Sequence, residues 1–195
     1  GIDEMDEKQV LTLCRTAEWL TRQKLSGTIE LYRPVKVQTG RTPRQTGARR
    51  IRRTNVMKRI GILGAGTWGM ALARMLTVSG NDVLVWSAIE KEIDSLSTTR
   101  KHPNLPQMKI PDELRFTKSI EEVCKDKDIL LFAVPSVFVR STAAKARPYV
   151  ADGQIIVDVA KGIEPDTLYT MTEILADELG KEGGPKGVRL VALSG

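Results

Sequence analysis

Residues 57–73 read MKRIGILGAGTWGMALA, and this stretch decides the fold. Residues 58–63, KRIGIL, form a short apolar run ending in glycines, the pattern of a strand buried inside a parallel sheet. The next six residues, Gly64-Ala65-Gly66-Thr67-Trp68-Gly69, have the spacing G-x-G-x-x-G. Trp68, Ala71, Leu72, Met75 and Leu76 then recur at helical spacing, and the helix ends at Gly80. Between a strand and a helix, each glycine of this triplet has a physical reason. Gly64 permits the tight turn, Gly66 lets a pyrophosphate approach the backbone, and Gly69 lets the helix pack close to the strand. The unpaired amides at the helix N-terminus would face the phosphates.

Working outward, strands and helices keep alternating. NDVLVW (81–86) reads as a second strand, followed by a polar helical pattern from Ile89 to Ser97. Residues 100–114 hold three prolines and read as a loop. SIEEVCKD (119–126) is a short helix in which Ser119 and Glu122 match a capping box. DILLFAVP (128–135) is a buried strand, SVFVRSTAAKARPYV a helix, GQIIVDVAKG a strand, DTLYTMTEILADELG a helix and GVRLVALSG a last strand. This order predicts an α/β fold, a doubly wound parallel sheet of the Rossmann dinucleotide-binding type. Ligands of such sheets lie at the carboxyl ends of the strands, where GAGTWG, WSAI, VPSVF, AKGIE and LSG all fall.

Composition is ordinary for a globular chain: 195 residues, 41% hydrophobic and 28% charged, which excludes collagen-like and wholly disordered classes. The net charge of +6 is unevenly placed. Residues 1–57 carry 12 Lys/Arg and 6 Asp/Glu, whereas residues 58–195 carry 18 of each. The chain therefore divides into a basic leader (1–56) and a neutral body (57–195). In the leader, residues 8–24 have the spacing of a short amphipathic helix, and residues 38–56 are too poor in apolar side chains to order themselves by burial. A basic arm for nucleic acid is one reading, a solvated extension the other. With no aromatic among the arginines of 41–53, a base-stacking platform has little support, and the extension is preferred. No apolar run reaches the roughly 20 residues of a membrane span, and the start GIDEMDE is unlike a signal peptide. Cys14 and Cys124 show no metal or redox spacing, which suits a reduced, cytoplasmic chain.

The stretches MKRIGILGAGTWGMALA, LLFAVPSVFVR, VAKGIEPDTL and the terminal LSG together resemble the NAD(P)-dependent glycerol-3-phosphate dehydrogenases of the bacterial type. The tryptophan inside GAGTWG and the AKGIE segment are the selective features. The resemblance covers residues 57–195, the family's cofactor domain, and leaves out the leader. It implies that Gly64, Gly66, Thr67, Trp68 and Gly69 hold the cofactor, with Ala88 at the adenosine end, where the family usually has a larger side chain. It implies that Phe138 packs near the dinucleotide, a reading preferred over the alternative of a helix core residue. Lys161 corresponds to a lysine reaching both cofactor and substrate, and Gly195 to the start of a substrate-contacting turn.

The implied reaction is reversible hydride transfer between nicotinamide and dihydroxyacetone phosphate, giving sn-glycerol 3-phosphate for glycerophospholipid (lipid) biosynthesis. No catalytic residue is assigned within this chain. The general-acid lysine is expected on a helical C-terminal domain beyond Gly195, so this polypeptide is expected to bind cofactor without turnover. A homodimer is one assembly open to the full-length enzyme. Both NAD and NADP stay open. A ribose-binding acid would stand at the end of the second strand, where Ser87 and Ala88 are found, with Glu90 a little late and no arginine for a 2′-phosphate. His102, the only histidine, lies in the Pro-rich loop with no acid beside it and reads as a surface residue. Asp158, within a strand, reads as a polar residue needing a local partner. The carboxylates show no spacing for a metal. Two rivals stand: another dehydrogenase of the superfamily, or a dinucleotide-binding module with a nucleic-acid-binding leader.

Overall fold

The computed structural model describes residues 57–193. The leader, with its expected helix at 8–24 and its arginines, and Gly195 lie outside the described residues. The strands are β1 (Arg59–Leu63), β2 (Asp82–Trp86), β3 (Arg115–Thr117), β4 (Ile129–Phe132), β5 (Ile155–Asp158) and β6 (Arg189–Ala192). The helices are α1 (Thr67–Val78), α2 (Glu90–Thr99), α3 (Ile120–Cys124), α4 (Val139–Ala146) and α5 (Met171–Leu179). Short 3-10 turns, Ser136–Phe138 and Arg147–Tyr149, flank α4.

All six strands pair in parallel, in the order β3-β2-β1-β4-β5-β6. After β1 the chain builds outward through β2 and β3, then crosses back to lay β4 on the other side of β1. That reversal opens a crevice at the carboxyl ends of β1 and β4, where ligands of doubly wound sheets bind. The register brings Leu63 level with Trp86 on one side and Phe132 on the other, and Phe132 level with Asp158. The strand ends thus form one edge, and each following turn rises from it.

Helices cover both faces, which is why β1 and β2 beyond their first residues, and β4 throughout, carry only buried, non-polar residues. Leu63, Leu84, Trp86, Leu130, Phe132 and Ile156 pack with α3, α4 and α5 in one core cluster. Ile60, Ile62, Val83 and Val85 point the other way by the pleat, and are buried on the face where α1 lies against β1 and β2. Each such side chain stabilises the fold by about 1.5–3 kcal/mol relative to exposure. The turn that ends α1 has Gly80 in the left-handed region at φ 85°, as a helix stop requires.

Four local expectations need correction. The chain forms a three-residue edge strand, Arg115–Thr117, that shows no alternating pattern of its own. The Ser119 capping box is half made: Ser119 accepts the Glu122 N–H, but the Glu122 carboxylate takes the Thr117 hydroxyl at 2.5 Å instead of reaching back. The helix expected from Asp166 starts only at Met171. There Thr170 and Glu173 form a complete capping box, and Leu168, at φ 59°, breaks the chain before it. His102, expected at the surface, is 3% exposed. It is drawn inward by hydrogen bonds described below.

Candidate functional site

The turn after β1 starts with Gly64, whose φ of 124° is open to glycine but strained for other residues. Its N–H donates to the Trp86 carbonyl (2.8 Å), and a Cβ here would stand 2.6 Å from the Ala133 carbonyl oxygen. At Gly69 a Cβ would stand 2.2 Å from the Gly64 oxygen and 3.2 Å from the Ala133 Cβ. These two glycines are demanded by the protein's own packing: they let α1 start close to β1 and β4. Gly66 is different. Its φ of −66° suits any residue, and a Cβ there would meet nothing within 4 Å. Nothing in the fold requires that glycine, whereas a ligand lying against the backbone would.

The same turn offers donors. Among the described residues, the amides of Ala65, Gly66, Thr67, Trp68 and Gly69 donate to no other group. They lie at the N-terminus of a twelve-residue helix with no acid in its first turn. Unmade amides and the helix dipole together favour an anion. Gly66 and Trp68 are exposed on the crest and Thr67 is half-buried.

Two further segments meet this turn at the sheet edge. Ala133, just past β4, touches the Gly64 and Gly69 backbones, and the chain then runs through Pro135 into Ser136–Phe138. Phe138 is 55% exposed, which rules out the core role. Beyond β5, Gly162 at φ 136° lies so that a Cβ would be 3.4 Å from Ser136. The loop bearing the exposed Lys161 therefore packs beside the turn bearing Phe138. On the far side, Ala88 is exposed past β2. The nearby Ser87 hydroxyl donates to Glu92 at 2.5 Å, and Glu90 pairs with Lys118 at 3.7 Å, so both carboxylates are engaged within the protein.

Electrostatics hold these loops. Glu164 receives both arms of Arg140, Nε and Nη2, at 2.7 Å, and the Thr167 hydroxyl at 2.6 Å. The Arg140 hydrogen bonds hold its carboxyl down at about 2. Arg140 also bonds Asp177 on α5, which ties the Lys161 loop to both neighbouring helices. Asp158 ends β5, 3% exposed, with Oδ1 accepting the Ala160 N–H at 3.2 Å. That is the local partner its position called for, and burial still raises its carboxyl to about 6. Cys124 is a buried thiol pushed up to about 12 by burial. Among the described residues no cluster of His, Cys, Asp and Glu could hold a metal ion, and no helix is long and apolar enough to cross a membrane.

The sheet edge thus brings together Gly64, Gly66, Thr67, Trp68, Gly69, Phe138 and Lys161, with Ala88 at its β2 end. Sequence reasoning passed over Arg140, although it closes the quoted LLFAVPSVFVR stretch. It also misplaced His102, whose Nε2 lies 3.2 Å from the Ala65 carbonyl oxygen within the glycine turn.

A six-stranded parallel sheet in this order, with a glycine turn opening the helix after its first strand, defines a Rossmann-type domain of the dehydrogenase kind. The family model described as NAD-dependent glycerol-3-phosphate dehydrogenase N-terminus matches residues 59–195, and the chain belongs to that family. It is 66% identical over 139 residues to a glycerol-3-phosphate dehydrogenase [NAD(P)+] of Lactobacillus delbrueckii subsp. bulgaricus, covering 71% of this chain and 41% of the relative. To the enzyme of the same name from Agathobacter rectalis it is 51% identical over 124 residues, covering 63% and 37%. The crystal structure of glycerol-3-phosphate dehydrogenase from Coxiella burnetii superposes with a TM-score of 0.60 at 27% identity, covering 71% of this chain and 41% of that one. The chain spans about two-fifths of the length of these relatives.

Proposed function

We propose that residues 57–195 are the cofactor-binding part of an NAD(P)-dependent glycerol-3-phosphate dehydrogenase. The observation that carries this is Gly66: a glycine with no packing reason of its own, in a turn whose five amides are unengaged by the described residues. A dinucleotide's pyrophosphate fits that cradle in both shape and charge. When bound, the nicotinamide cofactor supplies or accepts the hydride. The chain's own residues bind and orient. The amides of 65–69 hold the phosphates, Ala88 leaves room at the adenosine end, and Phe138 offers an exposed ring against the dinucleotide.

Lys161 holds positive charge at the carboxyl end of β5, toward the phosphate or carbonyl of dihydroxyacetone phosphate or sn-glycerol 3-phosphate. Gly195, outside the described residues, would contact the same substrate. Proton donation to the developing alkoxide falls to a lysine in the part of the protein that the relatives have and this chain does not span. Residues 57–195 on their own therefore bind cofactor without turnover. The whole enzyme, acting in the cytoplasm as a homodimer, would supply glycerol 3-phosphate for lipid synthesis.

Fluorescence titration with NADH and with NADPH, followed by addition of dihydroxyacetone phosphate, tests this. Saturable binding without oxidation is the expected result. Absence of binding by both would refute the cofactor assignment, and robust oxidation would refute the division of labour.

A further inference from the structure

The dinucleotide reading leaves His102 without a role, yet among the described residues it is the one buried side chain hydrogen-bonded to the glycine turn. It comes from the Pro-rich loop between α2 and β3, which is fastened at several points. Arg100 donates to the carbonyls of Leu114 (2.8 Å), Pro111 (2.9 Å) and Asp112 (2.5 Å), and Arg74 on α1 donates to the Lys109 carbonyl (3.0 Å). Leu105, Ile110 and Leu114 are buried beneath it. The loop is a rigid strap, and His102 is its contact with the turn.

The hydrogen bonds define the imidazole. The Asn104 N–H donates to Nδ1 at 3.2 Å, so Nδ1 is the acceptor and Nε2 carries the proton. Nε2–H therefore donates to the Ala65 carbonyl at 3.2 Å. In a trans peptide the carbonyl and the following N–H point in opposite directions. Holding the Ala65 oxygen toward His102 aims the Gly66 N–H away from it, and a Cβ on Gly66 would meet nothing within 4 Å. Among the described residues no other group hydrogen-bonds to that peptide. Without the bond the Ala65–Gly66 plane could rotate, since Gly66 carries no side chain to resist it, and would turn a carbonyl toward the anion.

We propose that His102 is a positioning residue for cofactor binding, fixing the Ala65–Gly66 peptide so that the Gly66 N–H faces the pyrophosphate. This rests on the dinucleotide reading of the site. Replacements sort by reach: His102→Gln can set an amide N–H where Nε2 stood, His102→Met has similar length and no donor, and His102→Asn can accept from Asn104 but falls short of Ala65.

In the 195-residue chain, NADH dissociation constants are measured by fluorescence alongside thermal melts. The Met and Asn variants should bind about tenfold more weakly than wild type, as expected for one lost hydrogen bond. The Gln variant should stay within about threefold. If one donor-less variant fails to fold, the other decides against Gln. A purely structural role would lower the melting temperatures and leave the dissociation constants equal, and that result overturns the proposal. If wild type binds neither NADH nor NADPH, the dinucleotide reading itself fails and takes this one with it.

Discussion

Replacing Gly66 by alanine should separate binding from stability. The backbone at Gly66, φ −66° and ψ 178°, is open to alanine, and the added methyl would meet no protein atom within 4 Å. Alanine lowers the entropy of the unfolded chain, which favours folding by about 0.4–1 kcal/mol. It is also a poorer helix N-cap than glycine by a few tenths of a kcal/mol or more. These effects oppose each other, so the melting temperature should move by no more than about 3 °C. Binding should respond otherwise, because the methyl occupies the space through which a phosphate reaches the amides. Losing one hydrogen bond to a charged group costs about 1.5–3 kcal/mol, so NADH affinity should fall by about 10- to 100-fold. Fluorescence titration and a thermal melt on one preparation measure both. Unchanged affinity would refute the claim that the open side of Gly66 is the phosphate's place. A melting temperature lowered by more than about 10 °C would refute the claim that packing does not require the glycine.

Other outcomes follow from the same geometry. Gly69→Ala should do the reverse, destabilising by about 1–3 kcal/mol or more by overpacking against the Gly64 oxygen, as read from urea unfolding; an unaltered midpoint would contradict the close approach. Asp158, at about 6 when folded against its ordinary 3.8, leaves the folded state holding more protons between those values, so its contribution falls as pH rises through that window. Asp158→Asn should therefore gain on wild type by about 2 kcal/mol between pH 4.5 and pH 8 in urea unfolding, and a constant difference would count against the buried carboxylate. Arg140→Ala should speed amide exchange at Glu164 and Leu168, whose N–H groups close the loop after Lys161; protection equal to wild type would show that the ion pair does not hold it. On the proposed function, Lys161→Ala in an active enzyme carrying residues 57–195 should raise KM for dihydroxyacetone phosphate by about 10- to 100-fold while NADH affinity changes less, and equal losses would remove its assigned role.

Much of this architecture is legible in sequence because buried parallel strands announce themselves. IGIL (60–63), VLVW (83–86) and ILLF (129–132) carry no charged or polar side chain, a pattern that persists only where both faces are covered. The glycine triplet is legible because its spacing carries backbone constraints that few other residues satisfy. What could not be read was decided by distant contacts. RFT at 115–117 becomes a strand only because β2 offers it an edge. The helix expected from Asp166 is delayed, because the Arg140–Glu164 pair and the positive φ of Leu168 hold the chain as a loop until the Thr170 cap. His102 carries no local sign of burial among polar neighbours and prolines. Its partner lies 37 residues earlier, and only the fold brings them together.

An amide-resolved NMR titration of the 195-residue chain with NADH tests the glycine turn as the phosphate site. The largest shifts should fall on the amides of Ala65 to Gly69, with smaller ones at Ser136–Phe138 and around Lys161. Shifts confined to other surfaces, or a spectrum that does not respond at millimolar NADH, would contradict it.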